Sequence, residues 1–364
     1  MRIIIDMQGA QTESRFRGIG RYSLSLALAI ARAAEKHEVV LALNGLLPDS
    51  IAPIRQAFAG LLPRENIRVW NSLGPTRELD PTNATRREIA ERMREAFILS
   101  LKPDVVLVTS LFEGLGDDAV VSVGNFDTKT PTAVILYDLI PLLNPDIHFR
   151  SSPIRQAYYA RKIESLKRSK LLLAISESAC GEALRGLSFA PGDVTNVSGA
   201  CDVSFKKIEQ TAADRQAIRA KFSIPQEFVL YTGGADERKN LARLVTAYAQ
   251  LPANVRRTHR LVMAGRMPST EVLALRTRAT EAGLGSDELV FTGYISDDEL
   301  LALYNMCRLF VFPSTHEGFG IPPLEAMSCG AAVIVANSTS LPEVIGSSEA
   351  MFDPESIDAI RDKM

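Results

Sequence analysis

Two carboxylates eight positions apart carry the most chemistry in this chain, Glu317 and Glu325 of the stretch Phe312–Gly330, FPSTHEGFGIPPLEAMSCG. The apolar run RLFVF just ahead of the loop reads as a buried strand of a parallel sheet. Gly318 and Gly320 then shape a loop, and Pro322 and Pro323 open a helix, where the first amides have no partner for proline to disrupt. The reading puts Glu317 in the loop and Glu325 in the first helical turn. A ligand at such a turn meets free N–H groups and the positive end of a helix dipole, which suits an anion. Acids beside an anion site fit a ligand that also carries hydroxyls, and a nucleotide sugar has both parts. The plainer alternative stays open: Glu325 stabilises a helix start and the glycines only turn the chain.

A second stretch, TGGADERKN, repeats the logic. Gly233 and Gly234 leave a strand, Arg238 and Lys239 follow, and Asn240 is placed to cap the next helix. Two cations before a helix start suit a diphosphate, to which each can donate charge-assisted hydrogen bonds. A third Gly-rich segment lies near the N-terminus. In SRFRGIGRYS, Gly18 and Gly20 precede an apolar helix read from Arg21 onward. The third glycine of a dinucleotide fingerprint would fall at Ser23, so a dehydrogenase is disfavoured. A loop approaching a donor diphosphate is the functional alternative, with Arg17 and Arg21 adding charge.

These motifs need strands to position them. Apolar runs mark strands at 3–7, 39–43, 67–70, 105–109, 133–137, 171–175 and 194–197, then at 228–232, 261–264, 289–292, 309–312, 333–336 and 350–352. Helical patterns fill the gaps, among them 85–101 and a helix opened by the capping box Ser296-Asp-Asp-Glu299. Alternation of this kind implies parallel sheets covered by helices on both faces. A polar stretch after residue 197 divides the series, giving an N-terminal domain over 1–205 and a C-terminal one over 206–364. Ligands of such sheets sit at the carboxyl ends of the strands, which directs attention to the loops 8–20, 110–116 and 138–144.

Composition narrows the class. The chain has 364 residues, 46% of them hydrophobic, and a net charge of −2, which gives no case for general nucleic-acid binding. The four cysteines have neither metal-ligand nor disulfide spacing, and a reducing cytoplasm fits. No apolar run reaches the ~20 residues of a membrane span. Seven basic residues against one acid over 150–170, with Tyr158 and Tyr159 interleaved, fit either contact with an anionic membrane surface or a solvated face that also packs on the sheet.

With His316, Glu317, Gly318, Phe319, Gly320 and Glu325 in this order, the first stretch resembles the Glu-x7-Glu signature of the retaining glycosyltransferases of family 4. The likeness runs over nearly the whole chain and is densest from Tyr231 to Pro354. It implies an α/β fold of the GT-B class: two Rossmann-like domains whose parallel sheets face across a cleft. It also implies transfer of a hexose from a nucleoside diphosphate to an acceptor hydroxyl with retained configuration. In that resemblance Glu317 holds the donor sugar, Glu325 binds the ribose hydroxyls, and Arg238 and Lys239 neutralise the departing diphosphate, so neither a metal nor a cofactor is expected. The loop from Gly318 through Phe319 and Gly320 to Ile321, with Gly18, Gly20, Gly233 and Gly234, borders the donor, and Tyr294 and Ile295 border its base. Tyr137 stands where many members carry a histidine against the donor sugar. Asp138 follows it and is favoured as the functional residue of the pair, with His316 a further candidate contact to the sugar. No nucleophile is assigned.

The segments YDLIPL, SLFEG and HEGFGIPPLEAM together are most similar to bacterial mannosyltransferases of polysaccharide or O-antigen assembly. The loop 110–114 is read as facing the acceptor. GDP-mannose is then the expected donor, and a glycan or polyprenyl-diphosphate-linked oligosaccharide the acceptor, at the inner face of the cytoplasmic membrane. A UDP-sugar donor, a non-catalytic nucleotide-sugar-binding module and a sugar-nucleotide epimerase are the alternatives. By family standards 356–364 reads as a helix barely begun, without the closing helices, so a shortened chain or one module of a longer, tandem enzyme is expected.

Overall fold

A computed structural model describes every residue except 17, 151, 225 and 226; the expectation for Arg17 lies outside the described residues. The chain divides into two compact units, Met1–Gly199 and Ala200–Met364.

In the first unit seven strands form one sheet: β1 (Arg2–Asp6), β2 (Glu38–Asn44), β3 (Ile67–Trp70), β4 (Val105–Val108), β5 (Thr132–Leu136), β6 (Leu171–Ala174) and β7 (Val194–Asn196). Their order is β3-β2-β1-β4-β5-β6-β7, with every neighbour parallel. The order reverses between β1 and β4, the position in such sheets where ligand crevices form, and here the loops after the two strands are joined by hydrogen bonds from Thr12 and Ser14 to Glu113. The central strands read as largely apolar runs because helices cover both faces, whereas the edge strands β3 and β7 are partly exposed and carry Arg68 and Thr195. Ile4, Val106, Val134 and Leu172 sit in one core with Ile163 and Leu166 of the helix Pro153–Leu166. That helix also buries Tyr158, Tyr159 and Lys162, and its Arg161 pairs with Glu78 and Glu91. The two tyrosines are thus core residues and present no aromatic face to a membrane.

The second unit repeats the plan with β8 (Glu227–Thr232), β9 (His259–Ala264), β10 (Leu289–Gly293), β11 (Leu309–Phe312), β12 (Val333–Ala336) and β13 (Met351–Phe352), ordered β10-β9-β8-β11-β12-β13 and parallel throughout. Its core joins Phe228, Leu230, Phe310 and Val335 to Leu244 and Leu303 of the covering helices, and it includes Phe205. The capping box forms as read: Ser296 accepts from the amide of Glu299, whose carboxylate accepts from the amide of Ser296.

Local corrections have clear causes. The N-terminal helix starts at Gly18, not Arg21, so both glycines are helical. At Gly20 a Cβ would lie 2.3 Å from the Cα of Arg15. Its role is to let the preceding loop fold against the helix. The helix after the second glycine loop runs over Ile321–Ser328, and Glu325, its fifth residue, lies beyond the first turn. Gly320 is its N-cap at φ 114, a conformation open to glycine, and a Cβ there would also meet the Leu341 side chain at 2.7 Å. Asn240 caps nothing with its side chain. It adopts φ 58, and its Nδ2 donates to the carbonyls of Pro313 and Pro354 at 3.1 and 2.8 Å, tying two strand-end loops together.

Candidate active site

At the carboxyl edge of the second sheet, the loops after β8 and β11 meet. Glu317 accepts from Lys239 Nζ at 2.6 Å and pairs with Arg238 Nη1 at 2.7 Å. Arg238 also donates to the carbonyl of His316 at 2.9 Å, and the amide of Thr315 donates back to the carbonyl of Arg238 at 2.8 Å. Lys239 Nζ further sits 5.1 Å from the ring centroid of Phe312. Arg238, Lys239 and Glu317 therefore form one charged triad from two loops 78 residues apart in sequence.

Electrostatics fix its state. Burial alone would raise the Glu317 carboxyl, but the charges of Lys239 and Arg238 and the hydrogen bond from Lys239 outweigh it and hold the pKa at about 2. Glu317 is ionised at neutral pH, an acceptor ready for hydroxyl donors. Its two cations are the groups that a diphosphate would compete for.

The backbone around the triad is set by side chains the sequence reading did not single out. Ser340 Oγ lies 2.9 and 2.7 Å from the carbonyl oxygens of Glu317 and Phe319, which share its one proton. Thr339 accepts from the amide of Glu317 at 3.0 Å, and Ser338 donates to the carbonyl of Ser314 at 2.8 Å. The hydroxyl run Ser338-Thr339-Ser340 just beyond β12 was the available signal, since it occupies another strand end of the same edge. Gly233 turns the β8 loop at φ 139, and Tyr231 reaches over to donate to the carbonyl of Gly234 at 2.7 Å.

Glu325 lies on the next helix, and its buried carboxylate accepts from the Tyr304 hydroxyl at 3.0 Å. Gly318, Phe319 and Gly320 are buried in the loop and Ile321 begins the helix. Ile295 packs against the core, whereas Tyr294, 74% exposed, stands clear of it.

The N-terminal candidates belong to the first unit. The Tyr137 hydroxyl lies 3.0 Å from the carbonyl of Thr109, 3.3 Å from that of Ile19 and 3.1 Å from Ser23 Oγ. It thereby fastens the end of β5 to the helix Gly18–Ala33. Burial raises its pKa, so it stays a neutral hydroxyl. Asp138 Oδ1 accepts from the amide of Ile140 at 3.1 Å, an Asx turn within its own loop. Beside them Glu113, in the loop after β4, accepts from Ser110, Thr12 and Ser14 at 2.8, 2.9 and 3.2 Å. Its carboxyl is pushed up to about 7, by burial first, against these hydrogen bonds.

Among the described residues no group of three or more His, Cys, Asp or Glu is arranged to hold a metal, and no helix is long and apolar enough to cross a membrane.

Residues 214–364 match the model of the family described as "Glycosyl transferases group 1". The serotype-specific mannosyltransferase WbdA of Escherichia coli is 39% identical over 362 residues, which is 99% of this chain but 43% of that protein. The O-antigen chain mannosyltransferase B of Escherichia coli is 36% identical over 199 residues, 54% of this chain and 51% of the relative. The chain thus spans about half or less of the length of these relatives. Among solved structures, Anabaena HepE in complex with UDP and glucose superposes with a TM-score of 0.64 at 17% identity, over 100% of this chain and 88% of that one. That likeness carries the fold and nothing finer.

Proposed function

We propose that the chain is a hexosyltransferase that moves mannose from GDP-mannose to a hydroxyl of a growing glycan or lipid-linked acceptor, a reading that starts from the match of residues 214–364 to the group 1 glycosyl transferases. The observation that carries the reading is the triad of Arg238, Lys239 and Glu317, placed where two parallel strands end in a chain 39% identical to a mannosyltransferase.

The triad suggests a division of labour. The donor diphosphate takes Arg238 and Lys239 as its counter-charges, and they stabilise the negative charge that grows on the leaving group. Glu317, ionised, accepts from hydroxyls of the sugar and fixes its orientation. Glu325 takes the ribose hydroxyls. Transfer proceeds with retention and needs no metal, because the two cations meet the charge of the leaving group. The acceptor is a glycan or a polyprenyl-diphosphate-linked oligosaccharide at the inner face of the cytoplasmic membrane.

A thermal-shift panel of GDP-, UDP- and ADP-sugars tests the donor, since a ligand that prefers the folded state raises its apparent stability. GDP-mannose is expected to give the largest rise, and a UDP-sugar giving a larger one overturns the choice of donor. Sugar transfer by the parent chain, lost in Glu317→Ala, separates an enzyme from a nucleotide-sugar-binding module, which transfers nothing in either form.

A further inference from the structure

Behind Glu325 runs a chain of hydroxyls. Tyr304, on the helix Asp297–Met306, donates to Glu325 Oε2 at 3.0 Å. The same hydroxyl oxygen lies 3.0 Å from Oγ1 of Thr232, the last residue of β8. A tyrosine hydroxyl has one proton. Because that proton goes to the carboxylate, Thr232 must be the donor in the other bond, and the relay has one direction: Thr232 to Tyr304 to Glu325. All three residues are buried. The ring of Tyr304 is held edge-on by Phe310 and Phe205, with centroids 5.5 and 6.0 Å away, so its hydroxyl has little freedom to choose another partner. Thr232 immediately precedes Gly233 and Gly234. The relay therefore joins the glycine loop that leads to Arg238 and Lys239 with the helix that carries the second acid.

We infer that Tyr304, itself fed by Thr232, is a positioning residue that aims the Glu325 carboxylate at the ribose hydroxyls of the donor nucleotide. The inference rests on the ribose role given to Glu325 above. A buried carboxylate fastened by a hydroxyl on a fixed ring loses rotational freedom before ligand arrives, which lowers the ordering cost on binding.

The test uses the full chain and whichever of GDP, UDP and ADP it binds most tightly, compared by calorimetry with the 2′,3′-dideoxy form of the same diphosphate. Both forms share base and phosphates and differ only in the hydroxyls at issue. The parent is expected to prefer the ribonucleotide, and Glu325→Ala to abolish that preference. Tyr304→Phe, which removes one oxygen, should weaken the ribonucleotide by about three- to tenfold, the span of one hydrogen bond, and leave the dideoxy form unchanged. If Glu325→Ala keeps the full preference, the ribose role falls and the inference with it. If Glu325→Ala loses the preference but Tyr304→Phe retains it, or weakens both nucleotides equally, Glu325 stands and the positioning role of Tyr304 is overturned. Should Tyr304→Phe not fold, Thr232→Val is read the same way: a narrowed preference supports the relay and an unchanged one refutes it. A parent that binds none of the three diphosphates overturns both readings.

Discussion

The loops after β4 and β11 are built on one plan and do opposite things. Each strand lies beside the first strand of its own sheet, β1 or β8. Each is followed, two residues on, by Ser-x-x-Glu-Gly: Ser110-Leu-Phe-Glu113-Gly114 in one unit and Ser314-Thr-His-Glu317-Gly318 in the other. The carboxylates are topological counterparts, and both are buried. Their neighbours differ. Six residues past β1 stands Thr12, which donates to Glu113, and six past β8 stands Arg238, which pairs with Glu317. Hydroxyls leave desolvation in command and Glu113 near 7, whereas two cations override it and hold Glu317 near 2. The backbone supplies the position, and the loop after the first strand decides the chemistry. One unit gains a clasp between two loops whose carboxyl is about half protonated at neutral pH, the other an anion flanked by two cations.

The comparison breaks first at the counterpart residues. Arg238→Ala is expected to lower sugar transfer by on the order of a hundredfold or more, the cost of removing one donor to a developing charge. Thr12→Ala should change transfer by far less. Equal losses in a turnover assay would erase the distinction between the two loops.

The pH dependence of stability has opposite signs in the two units. Glu113 titrates in the folded chain at about 7, above the ordinary 4.5, so the folded state holds its proton more tightly. Its contribution is complete below about pH 4.5 and is lost as pH rises through 7, by roughly 3 kcal/mol at most. Glu113→Gln should therefore flatten that decline and melt higher than the parent at pH 8, as thermal melts across pH 4–8 would reveal. Glu317 titrates at about 2, so its contribution is present above about pH 4.5 and fades as pH falls towards 2. In Glu317→Gln the acid-side loss between pH 4.5 and 2 should shrink, and a parent-like acid limb would mean that the triad does not hold the charge. Ser110→Ala is the smallest change. It removes one hydrogen bond to Glu113, costs about 1 kcal/mol, and should move the midpoint of the alkaline decline further up.

Much of this was legible beforehand, for identifiable reasons. The strands were found within a residue or two because both sheets are parallel and covered, so their central strands are largely continuous apolar runs flanked by turn residues. Arg238, Lys239 and Glu317 were legible because motif and strand-end position agreed. Partners supplied by tertiary contact were not. Nothing near Tyr304 announces Glu325, 21 residues on, and nothing near Glu113 announces Thr12, 101 residues back. Tyr137 reads locally as the last residue of a strand. Only the fold brings the helix Gly18–Ala33 over its hydroxyl. Asn240 carries a capping residue's identity, but φ 58 turns its side chain towards two distant carbonyls.

The central claim is that Arg238 and Lys239, held by Glu317 in the free chain, are the grip on the donor diphosphate. Calorimetric titration of GDP-mannose into the parent and into Lys239→Met tests it most directly, because methionine keeps most of the unbranched side chain and removes the ammonium group with its charge and hydrogen-bond donors. The account predicts saturable one-to-one binding by the parent and an affinity at least about tenfold lower in the variant, the weight of one charge-assisted hydrogen bond. Equal affinity in the two chains would contradict it.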